Sequence, residues 1–339
     1  MLNYTLGPEY RDYSIGSGFY MRIDNDLRRC VVFLGYEDDT PNKGGIQCVG
    51  TGFLFHYKGM GYLVTVKHVA KQLDDNPFIV RINRSNMMVE NLHADYIKWA
   101  YHPDNSVDVA VVESHFGVGE YASLYLRKNI VSEIGKDNIG IGDMCYTIGL
   151  FRLMYGQGRN LPIVHSGNIA MFPGDERVPV KDRLTGETEF VEAYLVEAQT
   201  LDGLSGAPVF ARPTLEFPVG RDDRKGILGS ILPLKNVYLI GIWQGAWNAP
   251  PDKILSAEIE TGKIVRVPVG MGVVVPITKL IELLELPELK KRRETIIKAN
   301  IHAADLDAVI PDTENPQHKE DFNSLITAAV KKKSPTDET

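Results

Sequence analysis

The stretch QTLDGLSGAPVFAR, residues 199–212, sets one serine, Ser205, between glycines and follows it with Ala-Pro and an apolar strand. Gly203 and Gly206 permit a tight turn, because glycine adopts positive φ without steric cost. A serine at the apex presents its hydroxyl, and the backbone N–H groups around it can converge on one point. That is one way to build a nucleophile beside an oxyanion site. The same residues also suit an ordinary β-turn, since Gly, Ser and Pro dominate turns. A serine hydroxyl is a weak nucleophile at neutral pH and needs a base, itself oriented by a third group. His68 follows the strand-like YLVTV in GTGFLFHYKGMGYLVTVKHVA, and Asp108 opens the apolar run DVAVV in HPDNSVDVAVVES. An acid at such a boundary is either a solvated loop residue or an ion held by a buried partner.

Other ionisable groups suggest less. His102 and Asp104 precede Asp108 in a polar loop, where Asp104 reads as a surface residue. Glu197 and Asp202 lie near Ser205 and match no role beside it. None of the 8 histidines pairs with another at helical ligand spacing, so neither a metal nor another cofactor is expected. Cys30, Cys48 and Cys145 are too few and too widely spaced for a disulfide framework. They fit small buried groups in a reducing, cytoplasmic setting. The 37 Lys and Arg against 44 Asp and Glu give a formal charge of −7, which argues against a general nucleic-acid binder. MLNYTLGPEYRDYSIGSGFY has no basic start before an apolar run, and no window approaches a membrane span, so neither secretion nor membrane insertion is expected.

The elements that must position these residues are mostly strands. Residues 1–27 read as an N-terminal arm. From 28 onward come short apolar runs broken by Gly, Pro, Asn and Asp, among them CVVFLGY, CVGTGFLFHY, FIVRI, MCYTIGLF, FVEAYLVEA, VYLIGIWQGAW and MGVVVPI. Many short β-branched or aromatic runs at this cadence predict an all-β barrel or sandwich. Helical periodicity enters late: ITKLIELLEL places Ile277, Leu280, Ile281 and Leu284 on one face after Pro276. Pro287 should interrupt it, and ELKKRRETIIKA starts a second helix. Beyond 300 the chain reads as a solvated, largely disordered tail. Two long polar stretches, 173–189 and 212–226, serve either recognition or decoration; RLTGETE in the first looks like a hairpin turn.

GTGFLF, LVTVKHV, DVAVV and GLSGAPVF, in this order, resemble the motifs of the chymotrypsin/trypsin-like serine peptidase family. The likeness is closer to its bacterial, disulfide-free members, and no PDZ-like module follows residue 286. Any one motif is weak; four in family order are specific. The resemblance covers about residues 28–286 and implies two packed six-stranded antiparallel β-barrels, about 28–130 and 131–276. Residues 287–339 would form a helical extension and tail. An α/β-hydrolase is disfavoured: the histidine precedes the serine, position 207 is alanine, and strands do not alternate with helices.

The resemblance implies a serine endopeptidase acting through His68, Asp108 and Ser205. The backbone N–H groups of Gly203 and Ser205 would form the oxyanion hole, each such donor being worth about 3–4 kcal/mol of barrier. Gln199, six residues before Ser205, falls at the base of the substrate pocket with Thr200 beside it. A neutral amide there does not select Lys or Arg. Trp243, Gln244, Gly245 and Ala246 would line the channel wall, although a strand tryptophan equally serves as core. Leu204 stands where regulated relatives place the aspartate that pairs with a cleaved N-terminus, so activation by that route is not expected. The alternative is a catalytically idle domain of the same fold that binds a peptide. The expected partner is a protein or peptide substrate, not nucleic acid or membrane. A protein partner would dock through the terminal helices or loops 173–189 and 212–226.

Overall fold

The glycine-punctuated apolar runs become sixteen named strands in a computed structural model, which describes residues 23, 25–38, 45–74, 77–86, 88–94, 98–114, 121–122, 126–127, 139–181, 186–198, 202–212, 237–249 and 267–309. The chain divides into two units, Met1–Leu289 and Lys290–Thr339. The first part of the larger unit holds α1 (Asn25–Arg29), β1 (Val31–Asp38), β2 (Gly45–Tyr57), β3 (Met60–Thr65), α2 (Lys67–Leu73), β4 (Phe78–Asn83), β5 (Val89–Ala94), β6 (Ala100–Tyr101), β7 (Ala110–Glu113) and β8 (Leu126–Arg127). They form one sheet in the order β5-β4-β1-β2-β3-β7-β6, with β8 alongside β2. The β2–β8 pairing is parallel. This half therefore holds eight strands in an open path among the described residues, where six in a closed barrel were expected. The β2–β3 hairpin turns on Lys58 and Gly59, both at positive φ (45° and 86°), the signature of a type I′ turn that matches strand twist.

The second part holds β9 (Met144–Gly149), β10 (Ile163–Met171), β11 (Val178–Lys181), β12 (Thr188–Val191), β13 (Tyr194–Glu197), β14 (Pro208–Arg212), β15 (Tyr238–Ala249), β16 (Val267–Pro276) and α3 (Ile277–Leu284). Six of these strands close an antiparallel barrel, β10-β13-β16-β15-β14-β9. This agrees with the expected all-β class. Its core gathers Cys145, Ile169, Val196, Leu204, Val209, Ile240, Trp243 and Val274. β11 and β12 pair across RLTGETE as the predicted hairpin, held to β15 by the Trp247 indole, which donates to the Pro179 carbonyl at 2.9 Å. Stretch 212–226 beyond Arg212 lies outside the described residues.

Helix α3 buries Ile277, Leu280, Leu283 and Leu284, so Leu283 takes the inward place expected of Ile281. A fresh helix, α4 (Pro287–Val309), opens on Pro287, where the missing N–H would have had no intrahelical partner anyway. It runs past residue 300, into the stretch expected to be unstructured tail. All three cysteines are free and buried. Burial pushes the thiol of Cys48 up to about 11 and that of Cys145 to about 12, and raises Cys30 further still. Among the described residues no helix is long and apolar enough to cross a membrane.

Candidate active site

Helix α2 begins directly after β3, and His68 is its second residue. Its N-cap position, Val66, has no side chain able to accept from the first turn. Asp108 supplies the missing acceptor: Oδ1 takes the His68 backbone N–H at 2.9 Å, and Oδ2 lies 2.7 Å from His68 Nδ1. A carboxylate only accepts, so Nδ1 is the donor in this pair. One carboxylate thus fixes both the backbone and the ring of the histidine. The pair is largely shielded, with side chains 7% and 13% exposed.

The turn that delivers Asp108 is closed by its own residues. The His102 ring accepts the Asp104 N–H at Nδ1, and the Asp104 carboxylate accepts from Ser106 N and Oγ at 2.9 and 2.8 Å. Those two bonds hold the Asp104 carboxyl below its ordinary range. Asp104 is exposed, as expected, whereas His102 is buried and faces Glu282 of α3.

Ser205 lies on the turn between β13 and β14. Gly203 and Gly206 both take positive φ, 102° and 90°. A Cβ on Gly206 would stand 2.0 Å from the Thr51 carbonyl oxygen and 2.3 Å from Thr65 Oγ1, so only glycine fits. The turn is pinned from both sides. From β2, Thr51 N donates to the Ser205 carbonyl at 2.9 Å and Thr51 Oγ1 donates to the Gly203 carbonyl at 2.7 Å. From β15, the Trp243 carbonyl accepts Gly206 N and its N–H reaches the Ala207 carbonyl. A Cβ placed on Gly50 would touch Val69, the neighbour of His68, at 2.9 Å and the Ser205 carbonyl oxygen at 3.1 Å. The helix bearing the imidazole and the turn bearing the hydroxyl therefore meet at Gly50–Thr51. The amides after the serine are engaged, while Gly203 N–H takes no partner among the described residues.

The remaining expected residues divide. The Gln244 carbonyl lies 3.3 Å from Ser205 Oγ, and its side-chain Oε1 is buried with no hydrogen-bond partner among the described residues. Gly245 follows it in the bulged part of the β15–β16 ladder. Trp243 takes the core alternative: its side chain is 2% exposed in the barrel core and packs over Gly272. It borders the site with its backbone. Gln199 and Thr200 lie outside the described residues. Leu204 is fully buried in the barrel core. Among the described residues no three His, Cys, Asp or Glu side chains are grouped to hold a metal ion. Thr51 and Thr65 were not singled out from the sequence; the only signal was their place in GTGFLF and LVTVKHV, beside glycine and histidine.

No family model matches the chain, and no curated protein does. Among solved structures, the active form of the Rv3671c protease from M. tuberculosis is 16% identical, with 76% of this chain and 80% of that chain covered and a TM-score of 0.42. Its inactive form is also 16% identical over 76% of this chain and 88% of that chain, with a TM-score of 0.39. Likenesses this distant carry no argument about the chemistry, which rests on the residues described above.

Proposed function

We propose that this chain is a serine endopeptidase that works in the cytoplasm, with His68, Asp108 and Ser205 acting as a triad. The observation that carries the reading is the double grip of Asp108 on His68, with the Ser205 turn anchored one residue from where α2 touches β2. In the proposed cycle His68 Nε2 takes the Ser205 proton as Oγ attacks the substrate carbonyl. The oxyanion is received by the Gly203 and Ser205 N–H groups. His68 then returns the proton to the leaving amine, and water repeats the sequence to release the acyl group. Asp108 stabilises the imidazolium that forms in each half. Gln244 and Gly245 present backbone to the acyl side of a peptide, and Gln199 and Thr200 shape the pocket.

A second reading is an idle peptide-binding domain. The closeness of Ser205 Oγ to the Gln244 carbonyl favours it, since a hydroxyl donated there is not offered to a base. A fluorophosphonate probe separates the two. Labelling of the wild type at Ser205, with none of Ser205→Ala and little of His68→Ala, is expected of the peptidase. A folded wild type that takes no label overturns it and leaves the binding domain.

A further inference from the structure

Lys67 has no part in the reading above, yet its setting is unusual. It is buried, 7% exposed, on α2 immediately before His68. Its ammonium donates to the Asn105 carbonyl at 2.8 Å, across 38 residues of chain. Among the described residues it makes this one hydrogen bond and no ion pair. The ammonium itself lies at the exposed Asn105, where the bond is only partly buried. An apolar side chain of similar length would cover the same surface, so the bond to Asn105 is what the lysine adds.

Asn105 sits in the turn that carries Asp108. The bonds inside that turn, from Asp104 to His102, Ser106 and Val107, fix its shape. The ends of the turn are tied down by β6 and β7, β7 pairing with β3 at Thr65–Ala110, and by Tyr101 Oη, which donates to Asp74 at the end of α2. Between those ends two adjacent residues of α2 hold it: His68 holds Asp108, and Lys67 holds Asn105 three residues earlier. Asn105 is the point at which Lys67 fixes the middle of the turn. We propose that Lys67 is a positioning residue, whose ammonium locks the 102–108 turn onto α2 so that one Asp108 carboxylate reaches both N–H groups of His68.

The lock itself is a matter of geometry; its effect on rate rests on the peptidase reading. The charged and titratable groups around His68 are Asp108 in contact with it, Lys67 next to it in sequence, and Asp104 and His102 in the turn. Glu282 and Lys279 of α3 act on those two.

The test follows His68 directly by NMR, through its Nδ1–H resonance and its exchange with solvent. It uses full-length wild type, Lys67→Met and Lys67→Arg, beside the rate of fluorophosphonate acylation. In Lys67→Met the Nδ1–H signal should be lost to exchange. Acylation should slow by about 10-fold or more, through a misplaced base rather than weaker substrate binding. Lys67→Arg, which can still reach the carbonyl, should restore the signal and most of the rate. An unchanged resonance in folded Lys67→Met overturns the proposal. So does slower acylation with the signal intact, which would make Lys67 only a distant charge. If Lys67→Met does not fold, Lys67→Gln is read in its place by the same criteria. The NMR readouts need no catalysis. A wild type that fails to acylate while His68 still responds to Lys67 defeats the peptidase reading and keeps the lock; normal acylation with an indifferent His68 does the reverse.

Discussion

Thr51 is fully buried and joins three segments at once: its N–H holds the Ser205 carbonyl, its hydroxyl donates to Gly203, and the same oxygen accepts Leu150 N–H at 2.9 Å. Thr51→Val keeps the shape and strands two buried backbone groups, so it should cost about 1–3 kcal/mol of stability. It should also slow acylation, because the Gly203 carbonyl no longer fixes the peptide plane next to the proposed oxyanion donor. Thr51→Ser should recover both. Thermal melts and probe-labelling rates check this, and a melt that falls with an unchanged rate would reduce Thr51 to a structural role. Asp108→Asn should lower peptidase turnover by about 10⁴, since an amide presents the wrong tautomer to Nδ1 while barely disturbing the fold. His68, Asp108 and Ser205 were legible in the sequence because each is a polar residue at the edge of an apolar run. Thr51 and Lys67 were not: their partners are backbone carbonyls far along the chain, and a carbonyl carries no residue type to read.

The segment between β9 and β10 works as a strut at the level of elements. At one end Arg152 N–H reaches the Asp202 carbonyl at 3.3 Å, one residue before Gly203, and its guanidinium donates to Val49 of β2. At the other, Asn160 is buried and exchanges four hydrogen bonds with Arg81 and Asn83 of β4, and Arg81 also donates to the Gln157 carbonyl. Arg81 is wholly buried and lies against the Tyr155 ring, 5.1 Å from its centroid. Asn160→Ala removes both side-chain bonds to Arg81 and leaves its guanidinium short of a partner, while the backbone bonds to Asn83 remain. It should lower stability by about 1–3 kcal/mol and open 151–159 to limited proteolysis before the barrel unfolds, which mass spectrometry of early fragments will show. Uncut 151–159 in a destabilised Asn160→Ala would sink the strut. Strand cadence and the late helix α3 were readable because alternation and 3.6-residue spacing recur over enough residues. Helix α2 spans only 7 residues, too short to show a period. Whether a sheet closes depends on which strands pair, and apolar alternation does not encode that, so the open path of the first sheet could not be foreseen.

At the scale of the whole molecule, the buried thiols and the buried Leu204 bear on how activity is held in place. At pH 8 a thiol with a pKa near 11 is about 0.1% thiolate, so Cys48 should resist iodoacetamide under conditions that alkylate free cysteine, and activity should survive the treatment. Rapid alkylation with loss of probe labelling would contradict that burial. Leu204 decides the larger question. Switching by a cleaved N-terminus needs a carboxylate beside the serine to receive a buried ammonium. Here that position is a fully buried leucine packed among Val209, Ala207 and Ile240 in the barrel core. An ammonium inserted there would meet no anion and would cost several kcal/mol in desolvation. The Ser205 turn is instead held by contacts already made: Thr51 from β2, Trp243 from β15 and Leu150 at the head of the strut. A variant lacking residues 1–10 should therefore label with the fluorophosphonate probe at the wild-type rate. Leu204→Asp should not create a dependence on a free N-terminus; it should simply destabilise the barrel by burying an unpaired charge. Labelling that starts only after N-terminal truncation would show that the contacts around Thr51 do not suffice to hold the turn.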